Sequence, residues 1–258
     1  MRQTPRRVSK PRIRLVVQAA AIPWADPTPE ALYWMGFLMA DGAVCGTTLA
    51  VNLQLRDRDH LVKLNAFLGG GDLRRTITER NGAARITFCS PDLIARLAHW
   101  GVTERKSFTA HGRRGAQFEH AFWRGVIDGD GTISTAGEVS LVTASDRLAR
   151  QFIQYTRYRL DLDPKLTVRR LGSYAPLYKI RLNKFGSLRL LRRLYADEPE
   201  YFLDRKHERA WVALTRPLRG RVCGRTMVVP KGAIPWCPLT RPSDPSPTGA
   251  QTRREESR

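Results

Sequence analysis

Apolar positions along the chain fall into helix-like and strand-like stretches, and the same order of stretches is written twice. In "PTPEALYWMGFLMADG", Thr28 is placed to cap a helix with Pro29 at its first turn, and the stretch predicts a helix ending at Asp41-Gly42, with Gly42 as a left-handed cap. "AVCGTTLAVNLQLR" follows as a hairpin. Leu49, Val51, Leu53 and Leu55 alternate there with Ala50, Asn52, Gln54 and Arg56, the period of two that marks a strand. "RDHLVKLNAFLG" reads as a short amphipathic helix, "LRRTITERNGAARITFCS" as a second hairpin turning at Asn81-Gly82, and "PDLIARLAHWG" as a closing helix. The order then recurs. "FEHAFWRGVIDGDG" is a helix and "TISTAGEVSLVTAS" a hairpin turning near Ala136-Gly137. "DRLARQFIQYTRYRL" is an amphipathic helix, "KLTVRRLGSYAPLYKIRLN" a hairpin with Pro176 in its loop, and "KFGSLRLLRRLYA" a closing helix.

The two copies keep register. Trp34 and Trp123, Gly36 and Gly125, Asp41 and Asp130, and Gly42 and Gly131 are each 89 residues apart. Gly36 and Ala40, like Gly125 and Gly129, lie four apart and share a helix face on which two backbones can approach closely. Packing alone does not account for Asp41 and Asp130. A carboxylate at a helix C-terminus sits in the negative end of the helix dipole. Two of them brought to about 4 Å at an effective dielectric of about 20 would repel by roughly 4 kcal/mol. A divalent cation between them reverses the sign. "DGDGTI" is not a calcium loop of the EF-hand kind, because the required Gly and Glu are Ile133 and Val139.

"WMGFLMADG" and "WRGVIDGDG" resemble the nine-residue motif of the LAGLIDADG homing endonucleases, with Trp34 and Trp123 in place of the leading Leu and Met39 in place of the sixth-position acid. The resemblance covers about residues 30–213 and is to the single-chain, two-motif, pseudo-dimeric branch. It implies an α+β fold of two pseudo-symmetric αββαββα repeats, with paired motif helices at the centre and two antiparallel DNA-binding sheets. It also implies a site-specific double-stranded DNA endonuclease that uses Mg²⁺, with Mn²⁺ able to substitute. Asp41 and Asp130 would then be the catalytic metal ligands, each serving one strand, and the backbone carbonyls of Ala40 and Gly129 would complete the coordination. The family's basic residue after the closing elements maps onto Lys106 of "ERKS" and Lys206 of "DRKH", expected to stabilise charge at the reacting phosphate. Asp128 reads as an extra helix-end charge. His60, His99, His111, His120 and His207 have no equivalents across the copies and read as surface or packing residues.

Charge fits this picture. The chain has 258 residues, a net charge of +20 and a pI of about 10.8, and Arg supplies 36 of its 44 basic residues. Such an excess points to nucleic acid or an anionic surface, and no apolar run is long enough to span a bilayer. Alternation places Asn52, Gln54 and Arg56, then Arg74, Thr76, Thr78 and Arg80, then Arg85 and Thr87, on polar strand faces of the first copy. The second copy offers Lys165, Thr167 and Arg169, with Lys179, Arg181 and Asn183. These side chains suit phosphates and base edges in a major groove, and because the two faces differ, the expected target is long and asymmetric.

The expected organisation is a basic N-terminal arm (1–27), a first repeat (28–110), a linker (111–117), a second repeat (118–215) and a basic, Pro-rich, partly disordered tail (216–258). The N-terminus is a poor secretory signal, because Arg12, Arg14 and Gln18 interrupt its apolar part. The scattered Cys45, Cys89, Cys223 and Cys237 lack zinc-site spacing and read as free thiols. A monomer in the cytoplasm, nucleoid-associated or phage-encoded, is expected. Two alternatives use the same scaffold: a DNA-binding regulator without cleavage and an intron-RNA maturase. Retention of both acids favours the nuclease. An intein is disfavoured by the chain ends, Met1 and a terminus without Asn and a nucleophile.

Overall fold

Helix α1 (Pro29–Asp41) and helix α4 (His120–Gly129) pack together at the join of two repeats and make the most extensive contact between any two elements among the described residues. The computed structural model describes residues 17–69, 77–170, 175–196, 199–216, 218–222 and 225–229. Arg74, Thr76, Cys223, Cys237 and the tail from residue 230 therefore lie outside the described residues, as does the arm through residue 16.

The chain folds as two α/β repeats. After α1 come β1 (Gly42–Cys45), β2 (Thr48–Gln54), α2 (Arg58–Phe67), β3 (Ile77–Arg80), β4 (Ala83–Cys89) and α3 (Pro91–His99). After α4 come β5 (Gly131–Ile133), β6 (Val139–Thr143), α5 (Asp146–Leu160), β7 (Lys165–Arg169), β8 (Leu177–Arg181) and α6 (Lys184–Tyr195), followed by α7 (Asp204–Thr215). Each repeat builds an antiparallel four-stranded sheet of matching order, β1-β2-β4-β3 and β5-β6-β8-β7. This is the α+β, pseudo-dimeric architecture expected from the duplicated pattern. Both repeats belong to one compact unit ending at Thr215. The remainder, from Arg216, contains a hairpin of β9 (Leu218–Val222) and β10 (Arg225–Val229).

Local chemistry explains the boundaries. Thr28 accepts from the Ala31 amide at 3.1 Å, Ser90 from Leu93 at 3.2 Å, Ser145 from Leu148 at 3.2 Å and Asn183 from Gly186 at 2.7 Å, so α1, α3, α5 and α6 each begin on a side-chain cap. Asn81 and Gly82 both take positive φ, as the tight turn between β3 and β4 requires.

The expected left-handed Gly42 cap does not form. Gly42 is extended, with φ −72° and ψ 137°, because β1 leaves the helix directly. Glycine is needed there for space: a Cβ would lie 2.6 Å from the Leu38 carbonyl oxygen, and one at Gly131 would lie 2.6 Å from that of Ile127.

The α1–α4 seam is reciprocal. A Cβ on Gly36 would overlap the carbonyl oxygen of Phe122, and one on Gly125 would overlap that of Tyr33. Phe122 stands 89 residues after Tyr33, so the two contacts are equivalents across a pseudo-two-fold axis. Gly129 meets its own counterpart, Ala40, since a Cβ there would overlap the Ala40 methyl. The two motif tryptophans are fully buried and serve their own repeats. Trp34 packs on His60 and Phe67 of α2, and Trp123 on Phe152 and Tyr155 of α5.

Candidate metal centre and nucleic-acid interface

Because α1 and α4 cross backbone to backbone, their C-termini arrive side by side. Asp41 ends α1 and Asp130 caps α4, and each immediately precedes the first strand of its sheet. A methyl on Gly129 would stand 3.4 Å from Asp41 Oδ2, so the Asp41 carboxylate lies against the partner helix next to Asp130. Burial, and then the negative charge of Asp130, push Asp41 up to about 6. Burial also raises Asp130.

Lys106 and Lys206 both reach this centre, one from each repeat. Lys106 Nζ donates to the Ala40 carbonyl at 2.9 Å. Lys206 Nζ lies within 3.0 Å of four carbonyl oxygens at the end of α4: Ile127 at 2.7 Å, Asp128 at 2.6 Å, Gly129 at 3.0 Å and Gly131 at 2.6 Å. An ammonium has three N–H groups, so every donor of Lys206 is engaged. Both lysines are buried, and burial lowers both, Lys206 to about 8. Both oppose the rise of Asp41 and of Asp130. A dication is thus not the sole group able to offset their repulsion, because two ammonium groups lie beside the two carboxylates.

Asp128, read from the sequence as an extra helix-end charge, is a fully buried hydrogen-bond acceptor. It has no accessible surface and accepts from Tyr33 at 2.9 Å, Tyr195 at 2.6 Å and the Leu203 amide at 2.8 Å. Its counterpart Met39 is also buried and carries no such bonds. His60, likewise buried, lies 3.0 Å from the Tyr33 hydroxyl and is held neutral, its pKa lowered to about 3, chiefly by burial. A side-chain bond from Arg205 to Asp57 at 2.9 Å and one from Lys63 to Asp204 at 2.7 Å tie the start of α7 to the first repeat. None of these partners shares a local sequence signal with its mate.

The donor set fits a hard divalent cation. Two carboxylates and the nearby carbonyls of Ala40 and Gly129 are all oxygen ligands. Among the described residues no group of three or more His, Cys, Asp or Glu gathers, so such an ion would need water or substrate oxygens to complete its shell.

The predicted DNA-facing residues divide. In the first sheet, Asn52, Arg85 and Thr78 form one rung across β2, β4 and β3, with Gln54, Thr87 and Arg80 on the same exposed face. In the second, Arg181 stands opposite Lys165, and Lys179 opposite Thr167, with Arg169 at the end of β7. Arg56 and Asn183 do not lie on strands. Arg56 sits in a 3₁₀ turn because the β2 alternation stops at Gln54, and the Asn183 side chain is spent capping α6. Cys45 and Cys89 are exposed free thiols on the first sheet. Among the described residues no helix is long and apolar enough to cross a membrane.

Comparison with known proteins agrees with the motif. Residues 117–196 match the model of the LAGLIDADG-like domain. No curated protein sequence matches the chain. Solved structures of similar shape include I-DmoI in complex with DNA and Ca, at 12% identity and TM-score 0.48, covering 69% of this chain and 90% of that one. The meganuclease I-SmaMI bound to uncleaveable DNA aligns at 13% identity and TM-score 0.47, covering 74% and 90%. Full-length DUF199/WhiA from Thermatoga maritima aligns at 13% identity and TM-score 0.46, covering 80% and 67%. At these scores the structural likenesses carry no weight of their own. One repeat matches the model of the LAGLIDADG-like domain, and the other repeats its motif, its strand order and its helix seam.

Proposed function

We propose that the protein is a site-specific double-stranded DNA endonuclease that hydrolyses phosphodiester bonds with a divalent cation, Mg²⁺ or in its place Mn²⁺. The observation that carries this reading is the pair Asp41, half-buried, and Asp130, more exposed, held at the abutting ends of two helices by a seam with no room for a Cβ at Gly36 or Gly125. A fold selected for stability alone has no use for two raised carboxylates at two negative helix ends.

Asp41 and Asp130, with the Ala40 and Gly129 carbonyls, would hold the cation, each acid serving one strand. When bound, such an ion lowers the pKa of a coordinated water and stabilises charge on the attacked phosphate and the leaving 3′ oxygen. Lys106 has one bond to a carbonyl and further N–H groups to offer a phosphate oxygen. Lys206, its donors engaged, holds the end of α4 in place and contributes its charge across space. The sheets would position the duplex. In the second sheet, Lys165 stands opposite Arg181, whose guanidinium lies 4.0 Å from the Glu138 carboxylate, and the pair presents positive charge to a polyanion. Strands β1 and β5 start at the residues after Asp41 and Asp130, which sets both sheets in fixed relation to the acids.

Incubation with a randomised duplex library and Mg²⁺, followed by sequencing of the ends, tests the reading. Discrete double-strand cuts support it. Tight, selective binding with every duplex intact would instead indicate a cleavage-free regulator, and retention of structured RNA over duplex would indicate a maturase.

A further inference from the structure

Asp128 and its counterpart Met39 give the two motif helices different chemistry at equivalent positions. The Asp128 side chain accepts from the Leu203 amide at 2.8 Å, and its backbone carbonyl accepts from Lys206 Nζ at 2.6 Å. Leu203 in turn receives the Lys206 amide on its carbonyl oxygen at 2.9 Å. These bonds close a ring between the end of α4 and the start of α7, and the ring contains the lysine. Arg205, the residue before Lys206, is fixed separately to Asp57. Among the described residues the first repeat has no such ring. Met39 offers no acceptor, and Lys106 rises from a short 3₁₀ turn, Lys106–Phe108, that follows Arg105 in a left-handed conformation.

We propose that Asp128 is a positioning residue that sets Lys206 against the second motif helix, and that the strand cut in the second half is therefore governed separately from the strand cut in the first. The proposal rests on the nuclease reading for its consequence and on the hydrogen-bond ring for its cause. Asp128 touches no reacting atom and acts through Leu203 and Lys206. Asp128 also accepts from Tyr33 and Tyr195, so Asp128→Leu strands two hydroxyls besides the Leu203 amide, whereas Asp128→Asn keeps an acceptor for them.

The test compares Asp128→Leu with Asp128→Asn, Lys206→Met and Lys106→Met, using a duplex labelled on each strand and amide hydrogen exchange over residues 203–207. Asp128→Leu should reproduce Lys206→Met. The strand slowed by Lys206→Met should slow at least ten-fold, the other strand should stay within about three-fold, and exchange at Leu203 should rise at least ten-fold. Lys106→Met should slow the opposite strand. Asp128→Asn keeps an acceptor for the Leu203 amide and should restore both readouts to within a few-fold of wild type. Equal slowing of both strands by Asp128→Leu, or unchanged exchange at Leu203, would overturn the proposal. Should Asp128→Leu not fold, wild-type exchange still decides: a fast-exchanging Leu203 amide refutes the ring. A wild-type protein that cuts no duplex refutes the nuclease reading, while the exchange arm continues to report on the ring alone.

Discussion

Asp130 raises the cost of ionising Asp41 across the seam between α1 and α4. That coupling turns the functional proposal into a statement about stability. The folded pKa of Asp41, about 6, lies above the ordinary 3.8, so the fold favours the protonated acid. This contribution is fully present below pH 4 and is lost as the pH rises through about 6.

Asp41→Asn should therefore abolish cleavage while making the metal-free protein more stable at pH 7, by about 3 kcal/mol. The advantage should shrink as the pH is lowered from 7 and vanish below about 4. Duplex binding should stay within a few-fold of wild type. Chemical denaturation across pH, alongside cleavage and binding assays, checks all three. A destabilised Asn variant with lost binding would assign Asp41 a structural role instead.

Glycines in the seam should be far less tolerant than glycines in turns. Gly36→Ala and Gly125→Ala each force a methyl into a carbonyl of the other helix, at a cost of about 3 kcal/mol or more. Gly46→Ala and Gly115→Ala have open space within 4 Å and face only the penalty of positive φ, about 1 kcal/mol. Thermal melts of the four variants should separate into two classes.

How much of this was legible in the chain depends on the range of the interaction. The 89-residue offset, the small residues four apart and the Thr28 and Asn81-Gly82 signals are local, and they located the seam, both acids and most element boundaries. Asp128 read only as an extra helix-end charge because the groups that bond it, Tyr33, Tyr195 and Leu203, stand 95, 67 and 75 residues away in sequence. The four-carbonyl grip of Lys206 was hidden for the same reason, although the lysine itself was found by its place after the closing elements. Gly42 misled because glycine at a helix end signals left-handed backbone most often, whereas here it relieves crowding against Leu38. Arg56 and Asn183 show the limit of alternation, since a period of two cannot mark the residue at which the strand stops.

DNA affinity should fall steeply with salt, with a slope in log K against log[salt] of about −0.9 for each phosphate neutralised. Arg181→Ala and Lys165→Ala should each reduce that slope by about one if they contact phosphate. Arg85→Ala or Asn52→Ala should alter the preferred sequence if that rung reads bases, with discrimination at one position falling by about 1–3 kcal/mol. Binding titrations at several salt concentrations, combined with selection from a random library, separate the two kinds of contact. A flat salt response would remove the basic sheets from the account.

Direct measurement of Mn²⁺ binding, by water-proton relaxation on the metal-free protein with and without a bound duplex, tests the shared carboxylate pair most closely. Wild type should bind Mn²⁺ with an affinity that climbs as the pH passes through about 6, since the ion competes with the proton on Asp41. Asp41→Asn and Asp130→Asn should each lose most of that binding. Unchanged Mn²⁺ affinity in both Asn variants, or no binding by the wild-type protein even with duplex present, would contradict the account.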